Sequence, residues 1–195
     1  MTWTLGDVLK LAWDSIKNPR EGASAILNFA PPRIAIWYML ALVVVLSVLL
    51  AQGTTFLFGG GLAGPFEMSP FSLGIIQGVL LIVMIYATYW IGRAFGGTGS
   101  LEETMLLMTW LQFILVCVQV AQTLAMIVMP PFAGLIGIAA LFIFFWLLVN
   151  FIAVLHGFSS LGLVFAGIIF SFIGIGFGLA LILTLIGITP GIANV

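Results

Sequence analysis

The sequence predicts an all-α membrane protein: five transmembrane helices preceded by one or two short amphipathic cytoplasmic helices. Of its 195 residues, 63% are hydrophobic and 6% are charged, whereas soluble domains carry about 25% charged residues. Five apolar segments are each long enough to cross the roughly 30 Å hydrocarbon core of a bilayer. Every charged residue precedes residue 104, so the second half of the chain reads as membrane-spanning sequence throughout.

The first predicted helix begins at Thr4, a residue type that caps helices, and Asp7 follows where it can interact with the free amide groups of the first turn. At 100° per residue, the apolar side chains of residues 5–16 gather on one side and the charged ones on the other. Such a helix either lies on a membrane surface or packs against the protein's own bundle. The sequence leaves both alternatives open.

A second short helix is predicted over Pro19–Phe29. Asn18 can cap it, proline suits the first helical position, and Glu21 can complete an arrangement like a capping box. Residues 1–33 therefore form an N-terminal cytoplasmic or interfacial region. Residues 34–195 form the membrane domain.

The predicted spans cover residues of about 34–52, 72–92, 104–129, 132–155 and 158–187. Very short turns join the last three spans, which makes them antiparallel neighbours. The longer connection over residues 53–71 is rich in glycine, proline and phenylalanine, and Glu67 is its only charge. The sequence leaves open whether this connection enters the membrane.

The distribution of cationic residues predicts the orientation. With the N-terminus inside, all five Lys and Arg residues lie on the cytoplasmic side, as the positive-inside rule requires. Five spans then place the C-terminus outside. We expect no cleavable signal, because the first strong apolar run begins only near Ile34.

A glycine-rich stretch, FGGTGSLEE over residues 95–103, precedes the third span. A phosphate-binding loop would need a lysine and a following Ser or Thr, whereas this stretch has no lysine and ends in Glu102 and Glu103. Ser100 with Glu103 is instead typical of a capping box. We predict a hinge and helix cap, and keep as an alternative an acidic docking point for a basic partner or for the Arg20 region of the N-terminal helices. The candidate cytoplasmic contacts here are Arg20, Glu21, Glu102 and Glu103.

Uncharged polar side chains recur inside the predicted spans. Such groups usually face other helices, because hydrocarbon offers them no partner. By depth, Gln112 would pair with Asn150 and Gln122 with Gln77. We expect interhelical hydrogen bonds, and the alternative is a polar path for a small solute or a lipid headgroup along these amides: Gln77, Gln112, Gln119, Gln122 and Asn150.

The fifth span carries Gly167, Ser171, Gly174 and Gly178 at spacings of four, three and four. A stripe of small residues allows the close approach of another helix. The alternatives are packing within the chain and an interface with a second copy or another membrane protein.

No catalytic, cofactor-binding or metal-binding residue is predicted, and we expect no enzyme. His156 is the only histidine and has no second ligand at metal-binding spacing, so it is assigned to the cytoplasmic helix end as a candidate contact. A nucleic-acid partner is excluded because the chain lacks a basic surface to neutralise phosphates. Ionisable groups, which coupled transporters need, are missing from the predicted span interiors.

Three segments, NPREGASAIL, FGGTGSLEETMLLMTW and LHGFSSLGLVFAGII, resemble the Yip (Ypt-interacting protein) membrane family, particularly its short bacterial members. The resemblance extends over nearly the whole chain. It implies a multipass protein of the bacterial inner (plasma) membrane that binds partners. The eukaryotic relatives associate with small prenylated GTPases. This chain lacks their long cytosolic region and their Asp-Leu-Tyr-Gly-Pro element, so the resemblance does not imply that it binds a GTPase.

The resemblance and the charge-free spans together predict a non-enzymatic scaffold or adaptor that organises membrane components, with lipids and a second copy or another membrane protein as partners. A passive channel, transporter or lipid-handling protein that uses the amide face is the alternative function.

Overall fold

The structure, a computed structural model, describes residues 4–58 and 69–185. These two ranges contain the following helices: α1 (Leu5–Lys17), α2 (Pro19–Phe29), α3 (Arg33–Phe58), α4 (Pro70–Ala94), α5 (Leu101–Val128), α6 (Pro130–His156) and α7 (Leu161–Leu185). All regular secondary structure within the described ranges is helical, which confirms the predicted all-α class.

Helices α3 to α7 are long and apolar enough to cross a membrane, with mean hydropathies between 2.0 and 2.7 over their best windows. This confirms the five predicted spans. The last span begins at Leu161 rather than at residue 158, and its predicted end at residue 187 lies outside the described residues. Glu67 and the rest of residues 59–68 also lie outside them.

Helix α3 continues to Phe58, beyond the predicted end at residue 52. The prediction stopped at Gly53, but glycine is well tolerated in membrane helices. The hydroxyls of the next turn are satisfied within the helix: Thr54 donates to the Leu50 carbonyl at 2.8 Å and Thr55 donates to the Ala51 carbonyl at 3.1 Å.

The first helix starts as predicted. The Thr4 amide donates to Asp7 Oδ2 at 3.0 Å, and the Asp7 amide donates to Thr4 Oγ1 at 3.3 Å, which completes a capping box. Asn18 and Pro19 occupy the cap and first positions of α2, but the Asn18 side chain makes no capping hydrogen bond. Asn18 is also the last residue to bond into α1, because its backbone amide donates to the Asp14 carbonyl. The backbone conformation of Asn18 is therefore set by the joint between the two helices.

The core lies at one end of the bundle, where α3 and α5 begin and α4 and α6 end. We call it the charged end, because Arg33, Arg93, Glu102 and Glu103 lie there. All six residues of Thr104–Thr109 in α5 are buried. Since a helix turns through all directions within four residues, this part of α5 is surrounded by protein on every side.

The opposite end, called the apolar end, is packed more openly. Large side chains of α5, α6 and α7 are exposed there, among them Leu124, Leu135 and Phe177. Helix α7 packs on α6 through Phe145, whose ring meets Phe165 and Phe172 edge to face at 6.1 and 6.4 Å. Apolar surface of this kind is suited to lipid or to another apolar helix.

Candidate functional sites

The glycine-rich turn is the joint between α4 and α5. Gly96 has a φ of 86°, in the left-handed region that glycine adopts without strain, and the Gly97 amide donates to the Gly92 carbonyl at 2.8 Å. At the start of α5, the Ser100 amide donates to Glu103 Oε2 at 2.7 Å and the Glu103 amide donates to Ser100 Oγ at 3.2 Å. This confirms the predicted capping box.

His156 lies against this joint rather than at the protein surface. Its side chain is 2% exposed, and its ring stacks on Phe158 with centroids 5.6 Å apart. The ring fills the space where side chains of Gly92 and Gly97 would otherwise lie. The sequence assigned His156 to the cytoplasmic helix end as a candidate contact. In the structure the turn closes over the imidazole, so the residues it contacts are those of the turn itself.

The glycines of the turn are needed for this contact, a role that sequence reasoning missed. A Cβ on Gly99 would lie 2.8 Å from the Leu155 carbonyl, so a third glycine also permits close approach to the end of α6. Neither nitrogen of His156 makes a hydrogen bond within the described part of the chain. Enclosed in this way, the ring ties the α4–α5 turn to the end of α6.

The charged contact candidates occupy different positions at the charged end. Arg20 and Glu21 are exposed on α2. Glu103 is used by its helix cap, and Glu102 lies near Arg33, with 3.9 Å between its Oε1 and the arginine Nε. The alternative for the acidic pair, a contact with the Arg20 region, is not formed among the described residues; Glu102 instead forms an exposed pair with Arg33, which adds little stability.

The N-terminal helices pack against the bundle. Trp110 Nε1 donates to Ser15 Oγ at 3.2 Å, and Trp146 Nε1 donates to the Ile16 carbonyl at 3.1 Å. Ser15 is fully buried, and a Cβ on Gly22 would lie 2.8 Å from the Ser15 Cα, so α1 and α2 cross closely. Both helices therefore belong to the core of the charged end.

Two of the candidate amides meet at one serine. Gln77 Nε2 of α4 donates to Ser47 Oγ of α3, and Gln119 Nε2 of α5 donates to the Ser47 carbonyl at 3.2 Å. Ser47 is 4% exposed and was not singled out from the sequence. A single serine inside an apolar run gives little signal by itself, but here it joins three helices.

The other amides have separate partners. Gln122 Nε2 donates to a carbonyl of α6 at 3.2 Å, and Asn150 Nδ2 donates to a carbonyl one turn earlier in its own helix at 2.8 Å. Gln112 makes no hydrogen bond to any residue that the structure describes. The predicted pairs Gln112–Asn150 and Gln77–Gln122 are wrong, because Gln77, Gln122 and Asn150 donate instead to nearby hydroxyl and backbone acceptors. The amides serve separate contacts rather than one polar row.

The small-residue stripe of α7 faces away from the described part of the bundle. A Cβ added to Gly167, Gly174 or Gly178 would meet no atom within 4 Å. Ser171 Oγ turns back to the Gly167 carbonyl at 2.6 Å. The described helices therefore leave this stripe open to whatever surrounds the protein.

Metal-binding groups are dispersed over the residues 4–58 and 69–185. No three of their His, Cys, Asp and Glu side chains lie close enough together to hold an ion. Cys117 is a free, half-buried thiol.

The family model of the Yip1 domain matches residues 13–182 of the chain. Comparison with curated proteins and with solved structures gives no match to either. The matched segment includes the last five residues of α1, all of α2 to α6 and nearly all of α7. It therefore contains both the glycine joint around His156 and the five apolar helices. The chain therefore belongs to the Yip1 domain family and is an integral membrane protein.

Proposed function

We propose that this protein is a non-enzymatic scaffold or adaptor that organises other membrane components through helix contacts. Its place is the bacterial plasma membrane, with the N-terminus in the cytoplasm and the C-terminus outside. The positive-inside rule supports this orientation, because Arg33 and Arg93 lie at the charged end together with the cationic residues of α1 and α2.

The open stripe on α7 carries the proposal. Gly167, Gly174 and Gly178 have free space at their Cβ positions, so a second helix can approach the backbone of α7 closely. Small residues at this spacing are typical of helix–helix interfaces in membranes. The partner is a second copy of the chain or another membrane protein.

The chemistry of the chain supports a non-enzymatic function. Its only histidine, His156, is enclosed by glycines and by Phe158. A general base has to reach the proton it removes, and this ring has no such access. Three of the candidate amides, Gln77, Gln119 and Gln122, likewise serve contacts between helices.

The test is native mass spectrometry of the protein released from membrane-derived lipid particles, which reports subunit number and retained protein partners together. Gly174→Leu places a bulky side chain in the stripe. Because nothing lies within 4 Å of Gly174, we expect this variant to fold normally while the complex with its partner is lost.

Gly176→Leu is the matched control. Gly176 also has no neighbour within 4 Å of its Cβ position and lies on the same helix, but two residues away it points about 200° from Gly174. Circular dichroism checks that both variants fold. A monomeric wild-type protein without a protein partner, or equal complex formation by both variants, would overturn the proposal.

A further inference from the structure

The aromatic residues mark one level of the bundle. The described tryptophans and tyrosines of the spanning helices all lie about 6 to 15 Å from the helix termini at the charged end, at 1.5 Å per residue: Trp37, Tyr38, Tyr86, Tyr89, Trp90, Trp110 and Trp146. Tryptophan and tyrosine concentrate at the headgroup level of membranes. The membrane boundary therefore lies at this aromatic level, short of the helix ends.

The lengths of α5 and α6 agree with that boundary. Their 28 and 27 residues correspond to about 42 and 40 Å, against a hydrocarbon core of about 30 Å. The segments from Trp110 and Trp146 to the apolar end measure about 27 and 24 Å, which nearly fills that core. The remaining turns at the charged end project from it, and the complete burial of Thr104–Thr109 shows that protein surrounds them.

Helix α1 is held at the same level. The two tryptophans that mark the boundary on α5 and α6 donate their indole hydrogen bonds to Ser15 and Ile16 in the last turns of α1. The C-terminal part of α1 therefore lies beside the bundle at the membrane boundary.

One face of α1 is left without a protein partner among the described residues. Leu5, Leu9 and Trp13, spaced four residues apart, are 74%, 46% and 58% exposed, whereas Ala12 and Ser15 on the adjoining face are buried. We call the three exposed residues the α1 stripe. Lys17 places its Nζ 5.0 Å from the centre of the Trp13 ring, so a cation accompanies the stripe.

We propose that α1 lies in the boundary between headgroups and acyl chains, with the α1 stripe inserted into lipid. Its partner is the bilayer itself, because the indole bonds of Trp110 and Trp146 hold α1 at the aromatic level, where the spans meet the headgroups. An amphipathic helix with an apolar face, an edge tryptophan and flanking lysines is suited to this position. The assignment goes beyond the proposed function, which places protein contacts on α7.

The test uses spin labels in the full chain, on a Cys117→Ala background, reconstituted into vesicles of phosphatidylcholine and phosphatidylglycerol. Leu9→Cys labels the stripe, and Leu5→Cys provides a second stripe position that is more exposed. Lys10→Cys is the matched control, since it is the next residue after Leu9 and is also exposed, about 100° around the helix.

We expect labels at residues 5 and 9 to collide severalfold more often with oxygen, relative to a water-soluble nickel chelate, than the label at residue 10 does. Equal access of the chelate to all three positions would place the stripe in water and overturn the proposal. Low collision with both reagents at residues 5 and 9 would mean that protein covers the stripe, which also overturns it.

Discussion

The imidazole of His156 occupies the space that a side chain on Gly92 would fill, so the end of α6 is pressed against the last turns of α4. Gly97 flanks the same ring from the loop that follows α4. The absence of two side chains, rather than any polar bond, makes this contact possible. The contact fixes how the α4–α5 turn sits on the end of α6 at the charged end.

Gly92→Ala is expected to destabilise the protein by about 1–3 kcal/mol, because overpacking displaces side chain and backbone in a filled core. Gly78→Ala is the matched control in the same helix, since its Cβ would meet nothing within 4 Å. There alanine should change stability by no more than about 1 kcal/mol, in the stabilising direction that helix propensity favours. Unfolding in mixed micelles measures both free energies.

The double variant Gly92→Ala with His156→Ala separates steric conflict from a general effect on α4. Removing the ring vacates the contested space, so the double variant should lose less stability than the sum of the two single losses. Equal losses for Gly92→Ala and Gly78→Ala would contradict the description of this contact.

The hydrogen bond from Trp110 to Ser15, which anchors α1, gives a second prediction. Ser15→Ala leaves Trp110 Nε1 without its acceptor, and an unpaired donor in this partly buried place costs about 1 kcal/mol or more. Ser24→Ala is the control, because Ser24 is exposed and bonds only one turn back in its own helix. It should change the free energy of unfolding by less than about 0.5 kcal/mol. Equal effects would mean that the indole bond does not anchor α1.

Most of the fold follows from local sequence. Span positions depend on long apolar runs, and the two capping boxes depend on residues three apart, at Thr4 and Ser100, so both could be predicted. Helix ends were harder to place. Gly53 resembles a stop signal, but an apolar segment favours a continued helix, which satisfies the backbone groups, and the hydroxyls of Thr54 and Thr55 also find acceptors there.

The sites depend on contacts that sequence spacing does not contain. His156 meets Gly92 and Gly97 from the other side of the bundle, and no local pattern relates these positions. The partners of the amides were predicted from depth in the membrane alone. In the structure Gln77 and Gln119 both donate to Ser47, because the rotation of each helix, as well as depth, decides which side chains meet. Whether α1 packs on protein or on lipid was left open for the same reason.

Gln77 and Gln119 donate to different groups of Ser47, so substitutions of the two glutamines should couple differently to a substitution of the serine. Ser47→Ala removes the hydroxyl that accepts from Gln77, but it leaves the backbone carbonyl that accepts from Gln119. We expect Ser47→Ala to cost about 0.6–2 kcal/mol, the range of hydrogen bonds between membrane helices. In double-mutant cycles, Gln77→Leu should be strongly non-additive with Ser47→Ala, whereas Gln119→Leu should be nearly additive. The reverse pattern would refute the assignment of the two bonds.

The cap of α1 predicts a dependence on pH. Hydrogen bonds from the Thr4 hydroxyl and amide hold the pKa of Asp7 below its usual value. Because the pKa is lowered in the folded helix, the cap stabilises α1 fully above the usual aspartate pKa of about 4 and loses this effect as the pH falls through the lowered value. A spin label at Leu9→Cys should therefore become more mobile in acid. Asp7→Asn should raise the mobility of this label at neutral pH and flatten its dependence on acid. The control Asp14→Asn should retain the wild-type dependence. An unchanged acid response in Asp7→Asn would assign the effect to another carboxyl group.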